Sequence, residues 1–398
     1  MFSNPLFSIT TLVDIGESHV IVKKGSKLLW LLASKPLLYL GALWMVMHLI
    51  LYSRYGVKIV FDSYRYLNYV ESIVSGSSYW LQPHSIFYSS YTLFLFLVLH
   101  VLSQPIEVVI ALQILLSGVA TVFFYKTLYN TTQHRVAAFI GVAFYLFWPQ
   151  IHSWGFYIHT ESLYISTSIF TLYLISKTTQ NRYSLFVLAL ILCFAIFLRP
   201  NGIFLLLGVI AGVIYLKKDM FTTTHSYLVL VLVVPALLFS ANYALEIFSP
   251  LQYLSQGQII QGYNKLTIQI DSPQLVPTDP ALLHVIGFIK EQPVSYIKLL
   301  LLRFIYLWAQ VRPYYSNIHN IAIVIFFIPV FILALRGIRK AIKEQTFIFM
   351  VTVLFLQTVM TMVIAVDWDN RFVVPLLPFV FYFASIGFTS LLSFKYDA

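Results

Sequence analysis

The chain has one cysteine in its 398 residues, Cys193, and it sits inside an apolar run. That excludes a disulfide framework and any thiolate metal site. Charge is scarce too. Asp, Glu, Lys and Arg make up 10% of the residues, against 59% hydrophobic ones, a balance that defines a polytopic membrane protein. The first 26 residues mix Asp14, Glu17, Lys23 and Lys24 and hold no apolar core long enough for a cleavable signal peptide. No P-loop, GxGxxG or zinc-type spacing is present, so no nucleotide or cofactor site is expected. Nor is there an internal repeat of the kind that many transporters carry.

The charge that is present is biased. The net charge is +10, but the basic residues stand singly or in pairs between apolar runs. That spacing points to membrane topology and away from a nucleic-acid partner. Apolar stretches occur at 36–53, 86–102, 106–125, 136–151, 162–176, 185–198, 203–216, 226–248, 296–311, 318–335, 346–366 and 372–394. The short basic loops are Lys126 to Arg135, Lys177 to Arg182, Lys217 with Lys218, and Arg336 to Lys343. Placing all of them in the cytosol works only if 86–102 and 296–311 do not cross. The expectation is an all-α bundle of about ten crossings with both termini cytosolic and two outer juxtamembrane helices. It forms a single membrane-embedded domain over 1–398. Its parts are a cytosolic N-terminal segment (1–35), a first outer loop (54–105) and a long late outer loop (249–317).

The same count splits the run from Leu185 to Leu216. Lys177 and Arg182 lie inside, as do Lys217 and Lys218, so the run must go out and return with Arg199 at its outer turn. Pro200 cannot continue a helix and Gly202 relieves the turn. Each arm of about 14 residues spans roughly 21 Å, short of a hydrocarbon core of about 30 Å. This recesses a fixed cation, a site suited to an anion that lives in the membrane. Other polar residues gather on the same outer face. They are Asp62, Tyr64, Arg65, Tyr66 and His84 in the first loop, His152, His159 and Glu161 in the second, and Asn201 beside Arg199. Asp367, Asp369 and Arg371 lie at the last hairpin.

Several stretches in this order resemble the GT-C superfamily, the integral-membrane glycosyltransferases that use polyprenyl- or dolichyl-phosphate-linked sugars. They are "DSYRYLNYVESIVSG", "YSSYTLFLFL", "HTESLY", "LRPNG" and "RFVVPLLPFVFYFASIGF", spread from about residue 61 to 388. The likeness is to the protein O-mannosyltransferase and aminoarabinose transferase type. The first loop departs from several branches, with "FDSY" where they carry a paired acidic motif. The resemblance implies transfer of a sugar from a polyprenyl-phosphate donor to an acceptor hydroxyl on the extracytosolic face, with inversion. It makes Asp62 the catalytic base.

That chemistry needs a base for the acceptor proton and cations for the phosphate. Arg199 is the first choice for the lipid phosphate and Arg371 the next, with Asn201 and His84 beside them. Glu161, Tyr64, Tyr66 and His159 are candidates for orienting the acceptor. Each has a structural alternative. Asp62 pairs with Arg65, Glu161 caps the helix that follows it, Arg199 pairs with Glu161 or Asp369, and Arg371 snorkels at the interface. His84, His152 and His159 are either belt residues or, with Glu161, metal ligands; no metal is expected. Tyr and Trp residues of the outer loops could stack on sugars. The late loop, polar and rich in Gln and Pro, reads as a lid or acceptor-recognition element.

Two rival classes remain. A lipid-linked sugar transporter or flippase would place its charges at the bilayer midplane. A glycan polymerase or ligase would carry paired arginines in a late outer loop, where Arg303 and Arg312 stand. The compact size points to a bacterial inner membrane.

Overall fold

The structure, a computed structural model, describes residues 34–82, 84–177, 181–216, 250–270, 281–342, 344, 346–367 and 369–393. The apolar stretch 226–248, the N-terminal segment to residue 33 and part of the late loop (271–280) lie outside the described residues.

The described chain is helical, with only three isolated β-bridges. In chain order come α1 (Pro36–Tyr55), α2 (Asp62–Val74), α3 (Ser89–Phe96), α4 (Ile106–Thr132) and α5 (Arg135–Phe147). Next are α6 (Pro149–Ser153), α7 (Glu161–Ser176), α8 (Arg182–Leu198), α9 (Gly202–Leu216) and α10 (Pro250–Ser255). Last are α11 (Ala281–Glu291), α12 (Pro293–Ala309), α13 (Asn317–Ala341), α14 (Phe347–Ile364) and α15 (Leu377–Ser393).

Five helical stretches among the described residues are long and apolar enough to cross a membrane: α1, α4, α13, α14 and Val374–Leu392. A sixth crossing is possible where Arg135–Phe147 and Pro149–Phe156 meet at a bend of 61°. Pro149 is the cause of that bend, since it cannot donate to the preceding turn. The sequence expectation of about ten crossings counts α7, α8 and α9 as well, yet these have only 16, 17 and 15 residues. A straight helix needs about 20 to span. The 86–102 stretch is built from short pieces, α3 being continued by the π-helical turn Leu97–Val101.

The greasy run around Arg199 is a helical hairpin, as its Pro-Asn-Gly centre predicts. α8 ends at Leu198 and α9 starts at Gly202. Gly202 is required there, because a Cβ would sit 1.9 Å from the Ala195 carbonyl oxygen. The tightest pair in the bundle is α13 against α15. Gly337 and Gly387 let the backbones approach until an added Cβ at Gly337 would lie 1.8 Å from the Phe383 carbonyl oxygen. Without a hydrophobic drive inside lipid, such small-residue contacts are how membrane helices gain packing energy.

Two sets of backbone contacts decide what meets at one end of this bundle. Lys58 N–H donates to Phe156 O (2.8 Å) and Ile158 N–H to Lys58 O (3.1 Å), fastening the first loop to the segment before α7. Gln113 of α4, fully buried, donates to Gly155 O and Tyr157 O at 3.0 and 2.9 Å and accepts from Tyr91 at 2.9 Å. On the other side, Gln261 N–H donates to Val366 O (2.8 Å), tying the late loop to the segment after α14.

Candidate functional site

The first of these contacts brings the N-terminus of α2 against that of α7. Asp62 is the first residue of α2 and Glu161 the first of α7, so both carboxylates lie where helix dipoles favour negative charge. Phe61, just before Asp62, has φ 46°, a left-handed conformation costly for an aromatic residue. Arg371 reaches both acids from the turn before α15. Its Nη1 donates to Asp62 Oδ2 at 2.6 Å and its Nε to Glu161 Oε1. Arg199 Nη1, from the α8–α9 hairpin, lies 2.9 Å from the same Glu161 oxygen. His159 Nδ1 is 3.6 Å from Glu161 Oε2, while its Nε2 is 3.2 Å from Val60 O. Arg65, one turn after Asp62, pairs with Asp62 Oδ1 at 3.1 Å.

The cluster has two layers. Glu161, His159 and Arg199 form the floor, with side chains 0%, 4% and 5% exposed. Asp62, Arg371 and Arg65 form the rim, at 21%, 22% and 42%. Two carboxylates face three guanidiniums, so the group carries one positive charge in excess before His159 is counted. Aromatic faces wall it. Arg371 Cζ is 6.0 Å from the Trp154 ring, and Arg199 Cζ is 5.9 Å from Phe372 and 6.0 Å from Tyr164. Burial alone would raise the Asp62 pKa, but the charge and hydrogen bond of Arg371, helped by Arg65, hold it below the ordinary carboxylate value.

Arg371 is held firmly. The Asp367 carboxylate accepts the backbone N–H groups of Asp369 (3.0 Å), Arg371 (2.7 Å) and Phe372 (3.0 Å). Asn370, with φ 59°, donates to Gln310 O at 3.0 Å and to Gln150 Oε1 at 3.3 Å. Asp369 does not enter the cluster. It accepts from Tyr315 at 3.0 Å, and burial pushes its pKa above the usual range.

The residues singled out from sequence therefore divide. Asp62, Glu161, Arg199, Arg371 and His159 come together. Arg199 was the first choice for a lipid phosphate, yet its contact is with Glu161 and it sits in the buried floor; the cations nearer solvent are the half-buried Arg371 and the exposed Arg65. Asn201 is buried beside it, and its carbonyl accepts from Tyr164 at 2.9 Å. Tyr64 is 59% exposed on α2, whereas Tyr66 is fully buried against Tyr88, Tyr91 and His159. Tyr66 is thus a packing residue under the site and offers no face to an acceptor. His84 is half-buried, with a pKa lowered by burial and by the Arg65 charge. His152 lies apart, its Nε2 3.0 Å from Tyr145 O and its ring 5.0 Å from that of His48. Among the described residues, no three His, Cys, Asp or Glu side chains are grouped as a metal centre.

Arg303 and Arg312 are 0% and 1% exposed, and both donate to backbone carbonyls. Arg303 bonds Tyr253 O, Gln258 O, Met362 O and Val363 O at 2.6–3.2 Å. Arg312 bonds Tyr306 O, Val311 O and Asp367 O at 2.8–3.1 Å. They clamp the late loop and support the Arg371 turn, which removes the sequence argument for a polymerase or ligase. The residues that sequence reasoning underweighted are Arg65 and Asp367. Arg65 entered the sequence reading only as the pairing partner of Asp62, which its i, i+3 spacing on one helix allows and the structure shows. Asp367 acts through backbone groups, which leave no signature in the side-chain pattern.

Fold and cluster together define an integral-membrane, all-helical protein that holds a net-positive ion-pair group at one end of its bundle. Residues 89–243 match the dolichyl-phosphate-mannose-protein mannosyltransferase family, which bears out the resemblance to membrane glycosyltransferases of the GT-C type. That stretch carries Glu161 and Arg199, while Asp62, Arg65 and Arg371 lie outside it. No curated protein and no solved structure matches the chain.

Proposed function

We propose that the protein transfers a sugar from a polyprenyl-phosphate donor to an acceptor hydroxyl on the extracytosolic face, with inversion at the anomeric carbon. The observation that carries this reading is the Asp62–Arg371–Glu161–Arg199 group with its excess positive charge and a carboxylate on its exposed rim. The ten-crossing topology, which puts that rim outside a bacterial inner membrane, belongs to the same proposal.

The acceptor oxygen attacks the anomeric carbon and its proton passes to Asp62. The bond from that carbon to the phosphate oxygen breaks, and the electron pair leaves with polyprenyl phosphate. The leaving group gains a negative charge as it departs, so cations aimed at it stabilise the transition state more than the bound donor. Arg371 and Arg65 take that role, since a guanidinium fork suits a phosphate and stays charged. Glu161 and Arg199 fix the orientation of Arg371 from below. In the free protein Arg371 and Arg65 make Asp62 a weak base. A phosphate that shares the positive charge of Arg371 and Arg65 restores its basicity, so the donor binds before the acceptor is deprotonated. Tyr64, exposed on α2, is an aromatic face available to a sugar.

The test is transfer from a polyprenyl-phosphate donor carrying a radiolabelled mannose, with purified protein returned to membrane extract as the source of acceptor. Label should leave the lipid with wild type and fall by at least ~10²-fold with Asp62→Asn, the usual scale for loss of a general base. Equal release by both proteins would remove Asp62 from the chemistry.

A further inference from the structure

A second cationic site lies far from this cluster. Gln113 fixes one part of α4 beside the Tyr157–His159 segment. Three to four turns further along, about 18–24 Å at 1.5 Å per residue, α4 presents Tyr125 and Tyr129. There a recess of 490 Å³ opens, lined by those two phenols, by Lys35 and Arg135, and by Leu37 and Leu38. The tyrosine rings stack with centroids 6.2 Å apart and planes 5° off parallel.

The recess joins unpaired cations to an apolar wall. Lys35 and Arg135 have no carboxylate partner among the described residues, where the ion pairs all belong to the outer cluster. Lys35 immediately precedes α1 and its side chain makes no cap. Arg135 is the first residue of α5, whose N-cap His134 accepts the Ala137 N–H, and it lines the same recess as Lys35. The wall is also open to apolar surroundings, with Leu37 and Leu38 42% and 63% exposed. From Leu38 an exposed stripe runs along α1 through Met45 and Leu49, at 57% and 62%. Eleven residues of helix cover about 16 Å, roughly one leaflet of a 30 Å hydrocarbon core.

We propose that this recess holds one anionic phospholipid, its phosphate between Lys35 and Arg135 and an acyl chain along Leu38, Met45 and Leu49. Free phosphate would satisfy the cations but leave the stripe bare; a zwitterionic lipid would cover the stripe but bring an extra cation to two cations. A headgroup held there would lie beside the paired tyrosines, amphipathic rings of the kind favoured at the membrane interface. The site is independent of the glycosyltransferase reading and stands whether or not the outer cluster performs that reaction.

The test titrates delipidated full-length protein in neutral detergent with dioctanoyl-phosphatidylglycerol, dioctanoyl-phosphatidylcholine or inorganic phosphate, reading binding by native mass spectrometry and by melting temperature. One phosphatidylglycerol should bind in preference to phosphatidylcholine, with inorganic phosphate neither binding nor competing at equal concentration. Each cation near an anionic headgroup contributes about 1 kcal/mol, about fivefold in affinity, so Lys35→Gln with Arg135→Gln should weaken binding roughly 25-fold. Lys35→Arg with Arg135→Lys should retain binding, which separates charge from misfolding if the first pair folds poorly. Lys126→Gln, removing an exposed cation that lies over Phe123, should change nothing. Equal binding of the two lipids, competition by inorganic phosphate, or an equal loss with Lys126→Gln would each overturn the proposal.

Discussion

Glu161→Gln is the substitution whose outcome the cluster fixes most tightly. The Glu161 side chain is fully buried and takes Arg371, Arg199 and His159 at once. Its amide replacement keeps the shape but removes the charge, so two guanidiniums are left with Asp62 alone, and Arg199 is left with no anion in contact. Removing one partner from a buried ion pair costs about 3–5 kcal/mol, because the remaining charge stays desolvated. Arg199→Gln alone should cost a similar amount, for the mirror-image reason. The double variant returns the floor to neutrality, so its loss should fall short of the sum by roughly 1–3 kcal/mol. The assay is equilibrium unfolding in mixed micelles, comparing wild type, both single variants and the double. Raising the salt to 0.5 M should leave these differences nearly intact, since buried charges are screened weakly. A loss under ~1 kcal/mol for Glu161→Gln, or strict additivity in the double variant, would refute the ion-pair account of the floor.

Four further outcomes follow from the same geometry. Because the folded-state pKa of Asp62 is depressed, its contribution to stability is complete above the ordinary value of 3.8 and is lost as pH falls below it. The stability gap between wild type and Asp62→Asn should therefore stay level from pH 7 to 5 and close on further acidification, read by melting curves. Asp367→Ala removes the acceptor of three backbone N–H groups and should cost about 2–4 kcal/mol. It should also weaken polyprenyl-phosphate binding although no binding residue is touched. Arg303→Gln strips four buried carbonyls of their donor, and limited proteolysis should then cut within residues 250–270 before the rest of the chain. A cysteine at Asn130, in a chain carrying Cys193→Ser, should label with an impermeant reagent only from the cytosolic side; labelling from outside would overturn the topology.

Much of the fold was legible because the bilayer imposes it. Apolar length and basic loops follow from transfer energies, and the Arg199 hairpin followed from Pro200 and Gly202. The number of crossings was less legible, since α7, α8 and α9 are apolar but too short to be counted by length. The site was legible as a set and illegible as a geometry. Sequence placed Asp62, Glu161, Arg199 and Arg371 on one face, yet nothing in the chain says which cation stands on the rim. That depends on the 309-residue reach between Asp62 and Arg371, fixed by the Asp367 carboxylate and by the carbonyl clamps of Arg303 and Arg312. Those two arginines look like ligand-binding residues in a late loop and serve as backbone clamps, a distinction set only by where carbonyls point.

The central claim is that the outer cluster binds a lipid phosphate through Arg371 and keeps Asp62 for the acceptor proton. Its most direct measurement is the melting temperature of purified protein with and without polyprenyl phosphate, for wild type, Asp62→Asn, Arg199→Gln and Arg371→Gln. Ligand at 100 times its dissociation constant adds about 2.7 kcal/mol to the folded state. The account predicts stabilisation of wild type, equal or greater stabilisation of Asp62→Asn, where no carboxylate competes for Arg371, retained stabilisation of Arg199→Gln, and none for Arg371→Gln. Stabilisation of Arg371→Gln equal to wild type, or no response from folded wild-type protein, would contradict it.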